Sequence, residues 1–231
     1  MSQAGAHTAA AAEMQPYLTP TYYIDSDNAA IQAFAREAAG GAADEVDRAV
    51  RLYYAVRDRI IYDPYAVELT PQGFRASNCL AKGRGFCVLK AALLAAVARA
   101  AGIPARIGFA DVKNHLATER LKRLMQTDMF YYHGYTELYL RGHWVKATPA
   151  FNIELCRRFR VLPLEFDGMT DSVFHPFDAD NRRHMEYVND HGAFADMPFE
   201  EIRRVFHRVY PGMWQGQAAG GDFAAEAAAE N

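Results

Sequence analysis

Apolar residues recur with the period of an amphipathic helix in two segments near the start of the chain. In residues 27–39 they stand three or four positions apart, behind acidic and amide residues that suit a helix cap. In residues 44–60 the same period is stronger, and Asp63-Pro64 follows as a stop signal. Each segment is therefore predicted to be a helix.

A third apolar segment, residues 87–101, has Ala, Leu or Val at nearly every position and only Lys90 and Arg99 as charged residues. Gly102 ends it. A helix that is apolar on almost every side lies in the protein interior, so this segment is predicted to be a buried helix. The preceding residues, 71–85, are rich in turn formers and are predicted to form a loop.

Beyond the buried helix, the period changes to that of strands. Alternation in residues 105–110 predicts a half-buried strand, which a polar insert with a short helix at 119–125 follows. Residues 131–140 and 143–148 then predict a hairpin with a two-residue turn between them. The order of elements indicates the α+β class, with N-terminal helices and a buried helix on an antiparallel sheet.

The last third of the chain is harder to interpret, because its many aromatic residues follow no sustained period. Only residues 198–209 predict a helix there, and the rest of this region either completes the sheet or covers a cleft. Residues 1–15 and 215–231 carry few large apolar side chains and are predicted to be disordered tails. Residues 16–214 are thus predicted to form a single domain.

Composition narrows the possible functions. The 231 residues are 51% hydrophobic, carry a net charge of −3 and mix both charge signs, so nucleic acid is not an expected partner. The longest apolar stretch, residues 91–98, is too short to cross a bilayer, and no membrane partner is expected. We expect a cytoplasmic protein, and its oligomeric state is left open.

Three cysteines, Cys79, Cys87 and Cys156, are an odd number at wide spacings, which fits neither a disulfide framework nor a paired zinc site. The histidines show no metal-binding spacing either, so neither a metal nor a cofactor is expected. A transient bond between Cys79 and Cys87, or a redox or zinc role for that pair, stays open as the least favoured alternative.

Cys87 is a candidate nucleophile because it lies in the first turn of the predicted buried helix. Free backbone N–H groups and the helix dipole favour a thiolate there, and the same groups can stabilise an oxyanion. Lys82 and Arg84 would add positive charge nearby. The alternative is a cysteine packed like a small apolar residue, which is the more common fate of an isolated Cys in an Ala-rich helix.

His133, on the first strand of the predicted hairpin, is the candidate partner. A thiol nucleophile needs an imidazole within hydrogen-bond reach to take and return its proton. Alternation puts His133 on the same strand face as Tyr135 and Glu137. That face points either at solvent or at the neighbouring helix.

The two-residue turn sets the register of the hairpin. It pairs Glu137 with Lys146, which predicts a cross-strand ion pair. It also puts Thr148 diagonally beside His133 at roughly 7–8 Å, whereas Glu137 lies about 13 Å away along the strand. A hydroxyl on Thr148 is thus within reach of the imidazole, and Glu137 is poorly placed to orient it.

At this point the residues resemble a known family. The chain reads GFC at 85–87 and RAAGIPAR at 99–106, and these motifs resemble the core signature of the transglutaminase-like superfamily. HGYTELY at 133–139 and GHW at 142–144 are similar to the family's His-containing strand and its Gly-x-Trp return. The resemblance covers roughly residues 75–150, with both blocks in the family's order.

The resemblance implies a papain-like fold in which Cys87 on the helix faces His133 on an antiparallel sheet. It implies acyl-transfer or hydrolysis chemistry at an amide or isopeptide bond of a peptide or protein, with Cys87 as nucleophile and His133 as general base and acid. Thr148 stands where the family usually has an Asp. A threonine hydroxyl can accept a hydrogen bond from the ring without contributing charge, so catalysis is weaker or altered, or another residue such as Asn152 or Asp167 orients the ring. The alternative function is a weak or inactive domain that binds a peptide or protein.

Overall fold

A computed structural model describes residues 12–114, 117–174, 185–214 and 221–230. Its α-helices, in chain order, are α1 (Ala29–Ala38), α2 (Glu45–Arg59), α3 (Ala76–Lys82), α4 (Cys87–Ala100), α5 (Glu119–Met125), α6 (Ile153–Phe159), α7 (Phe199–Val209) and α8 (Phe223–Glu230). Its strands are β1 (Ile61–Tyr62), β2 (Arg84–Gly85), β3 (Ala105–Asn114), β4 (Met129–Leu140), β5 (His143–Ala147) and β6 (Met185–Phe194). Short 3-10 turns occur at Gln15–Tyr17, Gln72–Phe74 and Pro211–Trp214.

The main sheet is antiparallel, with the strand order β5-β4-β3-β6. Helix α4 packs against its two central strands and is buried from Cys87 to Arg99, as its apolar sequence predicts. Helices α1, α2 and α3 pack around α4. The predicted class of helices on an antiparallel sheet is confirmed. Within the described residues, none of the helices is long and apolar enough to cross a membrane.

The hairpin has the predicted register. Leu140 pairs with His143 and Glu137 lies opposite Lys146. The predicted ion pair between these last two residues is wrong, because the neighbouring strands supply other partners. Arg106 on β3 lies opposite Glu137 and binds it at 2.5 Å, while Lys146 binds Asp190 on β6 at 3.4 Å.

Two parts of the structure differ from the sequence predictions, and in a third part the structure decides between the alternatives that the sequence left open. Helix α3 occupies much of the predicted loop 71–85, because its seven residues are too short to show a period and are held by buried Ala76 and Cys79. In the last third, β6 completes the sheet and α6 precedes it. Helix α8 lies in the predicted C-terminal tail, where one aromatic residue, Phe223, is buried. Most of the predicted N-terminal tail, residues 1–11, lies outside the described residues.

Gly134 brings β4 into direct contact with the start of α4. A Cβ atom at this position would lie 2.7 Å from the Cα of Val88, which is closer than two carbon atoms normally approach. Two residues further along the strand, the Thr136 hydroxyl donates to the Ala91 carbonyl of α4 at 2.9 Å. The missing side chain at Gly134 therefore sets how closely the N-terminus of α4 approaches the sheet.

The side chain of Lys90, in α4, is fully buried. Its ammonium group donates to the Arg57 carbonyl at 2.9 Å and to the Ile60 carbonyl at 2.6 Å, at the C-terminal end of α2. These carbonyls have no partner within their own helix, so the lysine caps α2. Burial lowers the pKa of Lys90 to about 7, while the Cys79 and Asp58 side chains act in the opposite direction.

The lowered pKa of Lys90 predicts a pH-dependent contribution to stability. Between pH 7 and 10.5 the folded chain holds Lys90 neutral, whereas the unfolded chain still binds its proton. The free energy of unfolding should therefore rise with pH in this window, by up to about 1.4 kcal/mol per pH unit, relative to a Lys90→Met variant. Urea unfolding of both proteins at pH 6.5, 8 and 9.5 measures the difference. A difference that does not change with pH would contradict this role.

The close approach at Gly134 predicts a large cost for a single methyl group. Gly134→Ala should lower the free energy of unfolding by about 1–3 kcal/mol, because the contact with Val88 is backbone and cannot move aside. Gly102→Ala is the matched control, since Gly102 has a positive φ of 79° but open space around it, and should cost about 1 kcal/mol. Equal costs in the two variants would show that the contact at Gly134 is not tight.

Candidate active site

A small cavity of about 50 Å³ lies where the start of α4 meets the first half of β4. Cys87 and His133 both line it, as the sequence predicted for a pair that acts together. The rest of its wall is almost entirely apolar or aromatic and includes Tyr62, Phe86, Leu121, Met125, Phe206 and Tyr210. The cavity therefore surrounds a thiol and an imidazole with little competing polar surface.

Cys87 is the first residue of α4 and is 4% exposed. Phe86, the extended residue before it, makes no capping hydrogen bond with its side chain, and the N–H groups of the first turn have no partner within the helix. Burial raises the pKa of the Cys87 thiol to about 11. Hydrogen bonding from the backbone N–H groups of Gly134 and Val88 works in the opposite direction. In this environment the thiol needs an additional cationic partner to ionise near neutral pH.

The two basic residues predicted to support Cys87 are engaged elsewhere. Lys82 pairs with Glu68 at 2.5 Å, and Arg84 pairs with Asp63 at 3.3 Å. The Arg84 side chain is 53% exposed, so solvent screens its charge. Among the described residues that line the cavity, His133 is the one side chain able to carry a positive charge.

His133 lies on β4 directly before Gly134 and is 3% exposed. Its ring packs against Phe174, with ring centroids 5.5 Å apart, and Phe174 packs in turn against Phe151. The backbone N–H of Phe174 donates to the Tyr187 hydroxyl at 3.3 Å. Aromatic side chains thus restrict where the imidazole can lie, and sequence patterning missed all three of them because they lack a common period.

Thr148, the third predicted site residue, follows the end of β5 and is 1% exposed. Its backbone N–H donates to the Ser172 carbonyl at 3.1 Å, and its own carbonyl accepts from the Tyr53 hydroxyl at 3.2 Å. Its side-chain hydroxyl is buried and makes no hydrogen bond to a described residue, His133 included. The structure therefore fixes the backbone of Thr148 firmly but does not show the predicted bond to the imidazole.

The two alternative orienting residues are committed to other contacts. The side-chain oxygen of Asn152 accepts from the backbone N–H of Tyr62 at 3.1 Å. Asp167 lies in an exposed turn, where one of its oxygens accepts from the N–H groups of Met169 and Thr170, both at 2.8 Å. Neither side chain is bonded to His133 by these contacts.

The other two cysteines do not line the cavity that holds His133. Burial raises the pKa of Cys79 to about 12 and that of Cys156 to about 11, and both thiols are free. In the described residues, no three His, Cys, Asp or Glu side chains group closely enough to hold a metal ion. The structure shows no bond between Cys79 and Cys87.

The solved structures that this chain resembles include two of low identity. A proposed cysteine protease from Cytophaga hutchinsonii is 19% identical, with a TM-score of 0.47, over 78% of this chain and 54% of that protein. A proposed protease from Parabacteroides distasonis is 15% identical, with a TM-score of 0.37, over 51% of this chain and 22% of that protein. The chain thus spans about half of the first protein and a smaller part of the second. Among curated proteins, none matches the chain.

The model of the Transglutaminase-like superfamily matches residues 32–149, which is 118 of the 231 residues. The matched region runs from the first helix through the cavity residues Cys87 and His133 to the residue after Thr148. This chain therefore belongs to the transglutaminase-like superfamily.

Proposed function

We propose that the chain is a cysteine-dependent hydrolase or acyltransferase that acts on an amide or isopeptide bond of a peptide or protein. One observation carries the proposal: Cys87, at the N-terminus of a buried helix, and His133, on the adjoining strand, line the same cavity. Nucleophilic catalysis by a thiol needs this combination of an imidazole and a helix N-terminus. The odd number of widely spaced cysteines suits a reducing compartment, so the proposal places the protein in the cytoplasm.

In the proposed reaction, His133 takes the proton of the Cys87 thiol and the thiolate attacks the substrate carbonyl carbon. The negative charge moves to the carbonyl oxygen, where backbone N–H groups of the first turn of α4 stabilise it. The C–N bond breaks as the imidazolium returns its proton to the leaving amine, and a thioester remains on Cys87. Attack by water, with His133 as base, or by a second amine then releases the acyl group.

The apolar wall of the cavity supports a preference for substrates with an apolar group beside the reacting carbonyl. A charged group placed there would lose its hydration without a compensating partner. The small volume of about 50 Å³ favours a short aliphatic group over a large ring. Water is also scarce in such a cavity, which strengthens the attraction between a thiolate and an imidazolium.

A second candidate function is a weak or inactive domain that binds a peptide. Two observations favour it: Thr148 supplies no charge to His133, and burial raises the pKa of Cys87 to about 11. Under this alternative, the cavity holds an apolar side chain of a partner and Cys87 is one of its packing residues.

Alkylation of Cys87 separates the two functions. A thiolate paired with protonated His133 should react with iodoacetamide below pH 7, whereas a thiol governed by burial alone should react only as the pH approaches 11. His133→Gln should therefore slow labelling of Cys87 at pH 6.5 by about 100-fold. Mass spectrometry of the native chain and the variant across pH 5 to 9 locates the adduct and gives both rates.

Cys79 and Cys156 provide internal controls in the same experiment, because both are buried outside the cavity that His133 lines and should stay unlabelled until the chain unfolds. Labelling of Cys87 only above pH 8, with the same profile in both proteins, would reject the catalytic pair and leave the binding function.

The role of Thr148 is tested by removing its hydroxyl while keeping its shape. We propose that this hydroxyl accepts a hydrogen bond from the imidazole when His133 is protonated, because it is buried and makes no bond to another described residue. Thr148→Val should then slow labelling of Cys87 at pH 6.5 by about tenfold, as the loss of one charge-assisted hydrogen bond would.

Thr148→Ser is the matched control, since it keeps the hydroxyl and should label like the native chain. At alkaline pH, with His133 neutral, Thr148→Val should not lower the free energy of unfolding, because it then removes a buried polar atom that makes no bond to a described residue. Unchanged labelling in Thr148→Val would show that Thr148 is a packing residue.

A further inference from the structure

The two strands beside the middle of β3 both bulge around Asp111. On one side, Ala110 pairs with His133 and Val112 pairs with Phe130, so β4 fits one residue more than β3 into this interval. On the other side, the pairing of β3 with β6 shifts at the same place, between Asp111 and Val112, and again just before Ala110. Extra residues re-aim the side chains of a strand, and such bulges occur preferentially next to active sites.

The bulge on β4 is held in an unfavourable backbone conformation directly before His133. Tyr132 has a φ of 54°, in the left-handed region that aromatic residues rarely adopt. A residue of this kind persists only where its surroundings fix it, at a cost on the order of 1–3 kcal/mol. Since Tyr132 is joined to His133, its conformation determines the direction in which the imidazole leaves the strand.

Asp111 provides the contact that fixes Tyr132. One carboxylate oxygen of Asp111 accepts the backbone N–H of Tyr132 at 3.0 Å. The same oxygen lies 2.8 Å from the Nε2 atom of His191 on β6. The ring of His191 stacks on the ring of Tyr132, with centroids 4.2 Å apart and planes inclined by 10°. The side-chain amide of Asn189 approaches the other oxygen at 3.5 Å.

The contacts with Asp111 and His191 hold the backbone and the ring of Tyr132 at the same time. Asp111 is 8% exposed, and the side chain of His191 is 22% exposed. An ion pair between Asp111 on β3 and His191 on β6 that served stability alone would need no hydrogen bond to the backbone of β4. The Asp111 carboxylate instead lies where the pairing of β3 with both β4 and β6 shifts. The residue that it holds, Tyr132, directly precedes His133 in the chain.

We propose that Asp111 is a positioning residue that aims His133 into the cavity by holding the Tyr132 bulge, with His191 as its support. This inference rests on the proposed function, because it gives the position of His133 a catalytic purpose. Asp111 does not touch the substrate or the thiol in this role. Its effect passes through the hydrogen bond to Tyr132, so the position of its oxygen matters and its charge does not.

Two substitutions of Asp111 separate geometry from charge. Asp111→Asn removes the charge but keeps an oxygen that can accept the Tyr132 N–H. Asp111→Val removes the acceptor while keeping a side chain that suits a strand. Glu137→Gln is the matched control, because Glu137 is a buried carboxylate four residues beyond His133 on the same strand and pairs with Arg106 rather than with the bulge.

The first readout is independent of any activity. The rings of His133 and Phe174 are close enough to give a nuclear Overhauser effect in NMR spectra. The native chain, Asp111→Asn and Glu137→Gln should keep it, and Asp111→Val should lose it while thermal unfolding stays cooperative. The second readout is the rate of Cys87 alkylation at pH 6.5, which in Asp111→Val should fall to the level of His133→Gln and in Asp111→Asn should stay within about twofold of native.

An Asp111→Val chain that keeps both the ring contact and the native alkylation rate would overturn the proposal, as would an Asp111→Asn chain that loses both. Should Asp111→Val fail to fold, Asp111→Glu takes its place, because its longer side chain keeps the charge but displaces the oxygen. The ring contact should then be lost in Asp111→Glu and kept in Asp111→Asn, and the reverse result would reject the proposal. If alkylation of the native chain does not depend on His133, the proposed function fails, while the ring contact still decides whether Asp111 positions His133.

Discussion

The site depends on the contact between the backbone of β4 at Gly134 and the first turn of α4. It brings Gly134, the residue after His133, within van der Waals distance of Cys87 and Val88, so the helix and the strand pack directly on each other at this point. The other features of the site build on it. The N–H of Gly134 faces the Cys87 thiol, and the cavity opens where the two elements meet. A side chain larger than hydrogen at this position would move Cys87 away from His133.

Burial has two opposing effects at this site. It excludes water from the cavity, which strengthens the attraction between opposite charges, but it also disfavours a thiolate and raises the pKa of Cys87. The first-turn N–H groups compensate only in part. The proposed chemistry therefore requires the imidazole of His133 to be protonated and close to the thiol. Under the proposed function the direction of the His133 ring is therefore decisive, and we propose that the bond of Asp111 to Tyr132 and the buried hydroxyl of Thr148 help to set it.

Sequence patterning predicted the elements whose periods extend over many residues. Helix α4 follows from its unbroken apolar sequence, and the register of the hairpin follows from a two-residue turn. It failed where the determining contact is distant in sequence. Glu137 binds Arg106 because β3 lies between β4 and β6, and the burial of Phe223 depends on aromatic residues far along the chain. The proximity of Cys87 and His133 was predicted from chemistry and family motifs. The bulge at Tyr132 leaves no signal in the sequence, since only the fold brings Asp111 and His191 to it.

The central claim is that Cys87 and His133 titrate as one coupled pair. The most direct measurement is an NMR titration of the His133 ring nitrogens in the native chain and in Cys87→Ala. A thiolate next to the ring stabilises its cationic form, so His133 should stay protonated at pH 7.5 in the native chain and become neutral at a lower pH in the variant. The same titration midpoint in both proteins would contradict the claim.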